Sequence, residues 1–426
     1  MNYQNTLAFA QQQDKEDALS HLRNQFHIPK DKNGNEWHYF TGNSLGLQPK
    51  STKEYINQEL EDWANLGVEG HFEAKNPWLN YNELLTDKMA KIVGAKPIEV
   101  VVMNTLTANL HLLMVSFYRP TKTKYKIVIE SDAFPSDRYA VESQLKFHGF
   151  DAEDGIIEWK PNQGENLLNI DDLESIIKFE GDEIALLLIG GVNYYTGQFL
   201  DLKRIAAIGH SKECVVGIDL AHGAGNIQPN LHDSGVDFAA WCTYKYLNSG
   251  PGSLAGLFVH EKHAHNKNLP RFAGWWNHNK ETRFNMRMPF DVMQGAEGWQ
   301  LSNPPILSMA AIRASLDLFD EVGMDALREK SEKLTGYFEY LINQIDSDAI
   351  KIITPNNPKE RGCQISIQVK NADKSLHQKL TENNIITDWR EPDVIRCAPT
   401  PMYNSFEDVY QMVKSLSSIL CEGKEV

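Results

Sequence analysis

The sequence predicts an α/β fold: a large domain with a mostly parallel sheet flanked by helices, then a smaller α+β C-terminal domain. Two patterns predict it. From about residue 95, short apolar runs of strand length alternate with helical stretches, as buried parallel strands do. After Asn303-Pro304-Pro305 the pattern changes to a long helical region, followed by short strands between helices. Length and composition agree: 426 residues, 42% hydrophobic and 23% charged, suit a globular chain of two to three domains.

The elements read as follows. Residues 6–25 have the pattern of a polar amphipathic helix, and 27–36 form a loop. Asn43 and glycines 42 and 46 mark a turn with unusual backbone angles. Helical patterns cover 51–66 and 78–93. Strands are expected at 100–103, 126–130, 184–189, 215–219, 236–241 and 254–260, with helices at 106–117, 137–147 and 202–211 between them. A long helical region spans 306–345, with Gly323 and Gly336 as candidate breaks. The tail alternates strands at 364–369, 385–388 and 394–397 with helices at 372–383 and 405–420. The expected division is 1–75 as a segment packing with the small domain, 76–305 as the large domain, and 306–426 as the small one.

Composition excludes several functions. A net charge of −15 repels nucleic acid and anionic membranes. The longest apolar run, 184–189, falls far short of the roughly 18 residues that a membrane span needs. Mean hydropathy is −0.43. The five cysteines are scattered and lack CxxC spacing, which suits a reducing cytosol. The first residues carry acids and no apolar core of a signal peptide, so a cytoplasmic location is expected. His260, His263 and His265 lack HExxH spacing and read as a solvated face after a strand, so no metal is expected. The glycines of 250–256 do not match G-x-G-x-x-G and no dinucleotide site is expected.

The chemistry concentrates at strand ends. Asp219 closes the run 215–219, where ligands bind in open α/β sheets; it reads equally as a helix N-cap. Lys245 lies in the apolar, aromatic stretch Trp241-Cys242-Thr243-Tyr244-Lys245-Tyr246. Read alone, it is a strand-end lysine with its head in water. A lysine drawn out of water becomes the amine nucleophile a Schiff base requires. Together the two residues meet the needs of pyridoxal phosphate, a carboxylate for the pyridine nitrogen and an amine for the aldehyde. Thr107, opening a helix after the strand 100–103, supplies a phosphate site or a plain helix cap. Phe134-Pro135-Ser136-Asp137 follows another strand and offers a stacking ring and polar groups, or a capped turn.

These motifs resemble the kynureninases. Phe134-Pro135-Ser136-Asp137, Asp219-Leu220-Ala221-His222 and Tyr244-Lys245-Tyr246-Leu247-Asn248 are similar to that family's motifs. So are Gly42-Asn43-Ser44-Leu45-Gly46-Leu47-Gln48-Pro49, Asn193-Tyr194-Tyr195-Thr196-Gly197-Gln198, Gly274-Trp275 and Ser302-Asn303-Pro304-Pro305-Ile306. They occur in order from about residue 39 to the C-terminal helix. The resemblance implies a fold type I pyridoxal enzyme with a seven-stranded-type sheet, acting as a homodimer. It implies hydrolysis of L-kynurenine, and of 3-hydroxykynurenine, to an anthranilate and L-alanine, in tryptophan degradation and NAD biosynthesis.

Residue by residue, the resemblance implies that Lys245 carries the cofactor as a Schiff base, Asp219 pairs with the pyridine nitrogen, His222 lies beside the ring and Phe134 stacks on it. Leu106 and Thr107 would hold the phosphate, with Tyr244 and Trp275 also reaching it. Pro135, Ser136 and Asp137 belong to the cofactor motif, and Asn303 would line the site. Arg396 would clamp the substrate α-carboxylate with its fork, and His71 and Ser44 would contact the aromatic end. Read alone, Arg396 is a surface ion pair, His71 a surface histidine and Ser44 a turn serine. In the implied mechanism Lys245 takes the Cα proton, water adds to the γ-carbonyl, and Tyr244 passes a proton to the alanine fragment; the alternative for Tyr244 is a phosphate donor only. One departure is Gly190, where the family carries Ser or Thr; the missing hydroxyl forfeits about 1 kcal/mol. Two other readings stand beside this one. A desulfurase-like lyase or aminotransferase would share the scaffold, with Cys363 the candidate nucleophile of a desulfurase. A binding protein that lost its chemistry would not need Lys245, Asp219 and Arg396.

Overall fold

Apolar runs of four to seven residues build the central sheet of the computed structural model, which describes residues 2–286 and 289–422. Its strands are β1 (Val100–Met103), β2 (Lys126–Glu130), β3 (Ile156–Trp159), β4 (Ile184–Gly190), β5 (Val215–Asp219), β6 (Phe238–Cys242) and β7 (Ala255–Val259). They lie in the order β1-β7-β6-β5-β4-β2-β3, parallel except for β7, which runs antiparallel to both neighbours. Successive side chains point to opposite faces, and each face has its own core. Val128, Leu187, Ile189, Val216 and Ile218 pack on one side with Met309, Ile312 and Leu316. Ile127, Ile129, Leu186 and Leu188 pack on the other with Leu110, Leu113 and Leu145. Burial on both faces is why these strands read as unbroken apolar runs.

The C-terminal part holds a four-stranded antiparallel sheet: β8 (Ile350–Ile352), β9 (Ile365–Val369), β10 (Asp388–Arg390) and β11 (Val394–Cys397), in the order β10-β11-β9-β8. Its core includes Leu334, Phe338, Ile365, Ile367 and Leu416. Ala10 and Phe40 from the N-terminal segment are buried in the same cluster. The Asp14 carboxylate accepts the Phe406 and Glu407 N–H groups at 2.6 and 3.0 Å, capping the helix Phe406–Glu422.

The expected helix at 6–25 is two elements, Leu7–Glu16 and a 3-10 turn Ser20–Gln25. Asp17 leaves the helix in extended backbone and pairs instead with the buried Lys330 at 2.7 Å. Gly323, at φ +79°, separates the helices Ile306–Val322 and Met324–Ile342, while Gly336 continues the second one. The first of these helices packs in the large-sheet core through Met309 and Ile312, the second in the C-terminal core through Leu334 and Phe338. His260 ends its strand early, because its ring accepts the Lys262 N–H and caps the helix Glu261–Ala264.

Candidate active site

The parallel strands bring their carboxyl ends into line, pairing Gly190 with Asp219 and Asp219 with Ala240. A cavity of about 360 Å³ opens there, bordered on its far side by Arg390 and Arg396 of the C-terminal sheet.

One end of the cavity suits a phosphate. The helix Leu106–Phe117 starts behind Thr105, and no side chain caps it. Thr107 Oγ1 lies 2.9 Å from Ser136 Oγ, in the first turn of the helix Pro135–Phe147. Pro135 occupies the start of that helix, where its missing N–H costs nothing. Two helix N-termini and two hydroxyls thus face one space, an arrangement that attracts anions. Tyr244 lines the same cavity, and burial pushes its phenol up, so it keeps its proton at neutral pH.

The middle is crowded with acids and bases. Asp219 Oδ1 accepts the Ala221 N–H at 2.6 Å, so the residue caps the following turn while facing the cavity. Burial raises the Asp137 carboxyl well above its ordinary range, and neighbouring Asp219 raises it further. Glu130, at the end of β2, is pushed up to about 7 by burial, with Asp219 adding to the effect. Its Oε2 accepts the Gly190 N–H at 3.0 Å. Lys245 Nζ stands 3.0 Å from His222 Nε2. Burial, then Lys245 and Arg396, hold His222 well below its ordinary value, so the ring is neutral. Phe134 forms a wall, edge to face with Tyr194 at 5.4 Å. Gly46 donates its N–H to the Tyr244 carbonyl at 2.8 Å, and a Cβ there would collide with the Lys245 carbonyl. Glycine is therefore what lets the 42–46 turn lie against the lysine loop.

The third end is cationic. Arg396 on β11 is 1% exposed, which rules out a surface ion pair. Its Nη1 donates to the Tyr194 carbonyl at 2.5 Å and its Nη2 to Asp388. The fork is thus held from both tips, and Nε is buried without a partner. Ser44 Oγ donates to Asp388 at 3.0 Å.

Eleven expected residues line this cavity: Ser44, Leu106, Thr107, Phe134, Ser136, Asp137, Asp219, His222, Tyr244, Lys245 and Arg396. Three do not. Trp275 is 45% exposed and donates from Nε1 to the Arg283 carbonyl at 3.2 Å. His71 packs edge-on against Trp78 at 5.6 Å, and Asn303 is exposed. Sequence reasoning gave no role to Glu130, Tyr194 and Arg390, which line the cavity, or to Asp388, which holds Arg396 from behind. Glu130 carried a usable signal, since it ends a strand of the same sheet as Asp219 does.

The donor set fits pyridoxal phosphate. An open anion cradle, an amine, a carboxylate and a ring wall line one cavity. Among the described residues, His222 Nδ1, Asn43 Oδ1 and Arg396 Nε are buried without partners, as groups awaiting a polar ligand are.

Comparisons with known proteins agree with this geometry. Residues 327–416 match the family model of the kynureninase C-terminal domain. The chain is 55% identical over 414 residues to a kynureninase of Myxococcus xanthus, covering 97% of each chain. It is 54% identical to a kynureninase of Flavobacterium psychrophilum, covering 99% of this chain and all of the relative. Among solved structures it resembles a C-DES variant with glycine covalently linked to its PLP cofactor, at TM-score 0.77 and 17% identity, covering 93% of this chain and 98% of that one. A cysteine desulfurase of Escherichia coli matches at TM-score 0.76 and 17% identity, covering 95% and 98%. These distant likenesses show the fold, that of fold type I pyridoxal enzymes, and the two close relatives show the family: the chain belongs to the kynureninases.

Proposed function

We propose that this enzyme hydrolyses the Cβ–Cγ bond of L-kynurenine, and of its 3-hydroxy derivative, releasing an anthranilate and L-alanine. The observation that carries the reading is the single cavity that joins the Lys245 amine, the Asp219 carboxylate and the buried Arg396 guanidinium. Bound pyridoxal phosphate supplies the electron sink for the bond-breaking steps. Thr107, Ser136 and the backbone at Leu106 would hold its phosphate; Asp219, Asp137, His222 and Phe134 would surround its ring.

The chain's own groups do the rest. Arg396 takes the substrate α-carboxylate on the Nε edge, because both tips are already held. With substrate bound, the Lys245 amine would take the Cα proton as general base. His222 is neutral, so it adds no positive charge beside the Lys245 amine, 3.0 Å away. Tyr244 keeps its proton at neutral pH and can deliver one to the alanine fragment as general acid.

The working unit in this reading is a homodimer. Trp275, Asn303 and His71 lie outside the cavity of their own chain, and a second copy would bring them to it. Phe284 is more than half exposed and packs edge-on against the half-exposed Trp275 at 5.5 Å, an exposed aromatic pair that supports a covered surface there. Among the described residues no helix is long and apolar enough to cross a membrane. The free cysteines support a cytoplasmic setting. A desulfurase nucleophile finds no support in Cys363: it is fully buried, and burial pushes its thiol up to about 12.

The test is anthranilate fluorescence on adding L-kynurenine to the cofactor-loaded protein. No anthranilate, with the cofactor's visible-edge absorbance present, overturns the substrate assignment. Mixing a Lys245→Ala chain with an Asn303→Ala chain tests the shared site: hybrid dimers should regain turnover that neither variant has alone.

A further inference from the structure

Two guanidiniums, Arg390 and Arg396, line the carboxylate end of the cavity, and the Asp388 carboxylate backs them. Asp388 and Arg396 are direct cross-strand partners on β10 and β11, and Arg390 lies two residues further along β10. A single oxygen, Asp388 Oδ2, accepts from Arg396 Nη2, from Arg390 Nη2 at 3.1 Å and from Ser44 Oγ at 3.0 Å. The Asp388 side chain is 15% exposed and that of Arg396 is 1% exposed, so solvent screens that pair poorly; the Arg390 side chain, 36% exposed, is screened in part. The Nε atoms of Arg390 and Arg396 are both buried without a partner. The remaining acid on this side, Asp132, lies at the exposed rim, where water screens it.

Counted as charges, two arginines and one aspartate leave one unit of positive charge, which matches one carboxylate. We propose that Asp388 determines specificity: it offsets the second guanidinium, so that the pocket takes an amino acid with one carboxylate and turns away those with two. The alternative is a purely positioning role, in which Asp388 only aims Arg396. The two differ in sign. Removing a positioning group weakens every amino acid alike, whereas removing the offsetting charge favours dicarboxylates over monocarboxylates.

The inference rests on the substrate-amino-acid reading above but not on turnover. Calorimetry on the cofactor-loaded enzyme compares L-alanine, L-aspartate and L-glutamate as ligands. In Asp388→Asn the Kd ratio should move toward at least one dicarboxylate by roughly tenfold relative to L-alanine. Adding Arg390→Gln should return it to the wild-type value. Arg390→Gln alone should weaken L-alanine by roughly tenfold, with Asp388→Asn restoring it; this second arm stands if Asp388→Asn does not fold alone. An unchanged ratio, uniform weakening of all three ligands, or failure of mutual rescue overturns the proposal. If anthranilate forms while the ratio stays fixed, the charge role fails alone. If the ratio moves and no anthranilate forms, the proposed reaction fails alone.

Discussion

At the amino end of the central sheet, the buried Asp237 carboxylate is surrounded by donors. It accepts the Val216 N–H at 2.8 Å, both His210 and His263 at 2.9 Å, and pairs with Lys262 at 2.7 Å. Burial alone would raise this carboxyl, but hydrogen bonds from His210, His263 and Lys262 reverse that and hold it well below the ordinary range. At the carboxyl end of the same sheet, Asp219, Asp137 and Glu130 share one cavity, and two of the three are pushed up. The amino end spends its donors on one acid and gains stability. The carboxyl end crowds acids together and leaves polar atoms unpartnered. Acids and polar atoms gathered without protein partners mark a ligand-binding site.

The comparison makes opposite predictions for the two ends. Lys245→Ala should lower anthranilate production by ~10⁴-fold, about 5.5 kcal/mol, while leaving the denaturant midpoint of the cofactor-free protein nearly unchanged. A variant that keeps a tenth of the activity would show that the essential amine lies elsewhere. Asp237→Ala should do the reverse. Stripping the carboxylate leaves the buried Val216 N–H unpaired and takes a charged hydrogen-bond partner from His210, His263 and Lys262, at a cost of about 4 kcal/mol in urea melts, with the turnover of the folded fraction intact. The pH sign is also set. The Asp237 carboxyl lies lower in the folded state than its ordinary 3.8, so its stabilisation is present above that value and is lost as pH falls below about 4.

What could be read from the sequence follows from how locally each feature is determined. The long strands were legible because burial on both faces demands unbroken Val, Ile and Leu. β3 and β8 were not, since strands of four and three residues, of which only Trp159 is buried, leave no period to detect. Lys245 and Asp219 were legible because the end of a strand is a local feature. Asp388 and Arg390 were not, because their meaning arises from the register that sets Asp388 opposite Arg396. Trp275, Asn303 and His71 came from family resemblance alone, and nothing in their local pattern distinguishes a site residue from a surface one. Gly190 came as a missing hydroxyl. The structure adds what sits beside it: a Cβ there would lie 3.0 Å from Glu130 Oε1, so the strand end meets a buried acid directly.

Glu130 yields the smallest predicted effect and sharpens the comparison most. Its carboxyl lies near 7 in the folded chain against an ordinary 4.5, so the folded state holds the proton more tightly than the unfolded one. Its contribution is therefore full below about pH 4.5 and is lost as pH rises through 7, the opposite of Asp237. For the cofactor-free protein this amounts to a fall on the order of 3 kcal/mol between pH 5 and 8. Glu130→Gln keeps an acceptor for the Gly190 N–H but cannot ionise. Urea melts across that range should flatten in the variant, leaving the slope that Asp137, raised for the same reason, still supplies. An unchanged slope would mean that Glu130 is charged throughout, and the acid crowding at the carboxyl end would then be smaller than its burial implies.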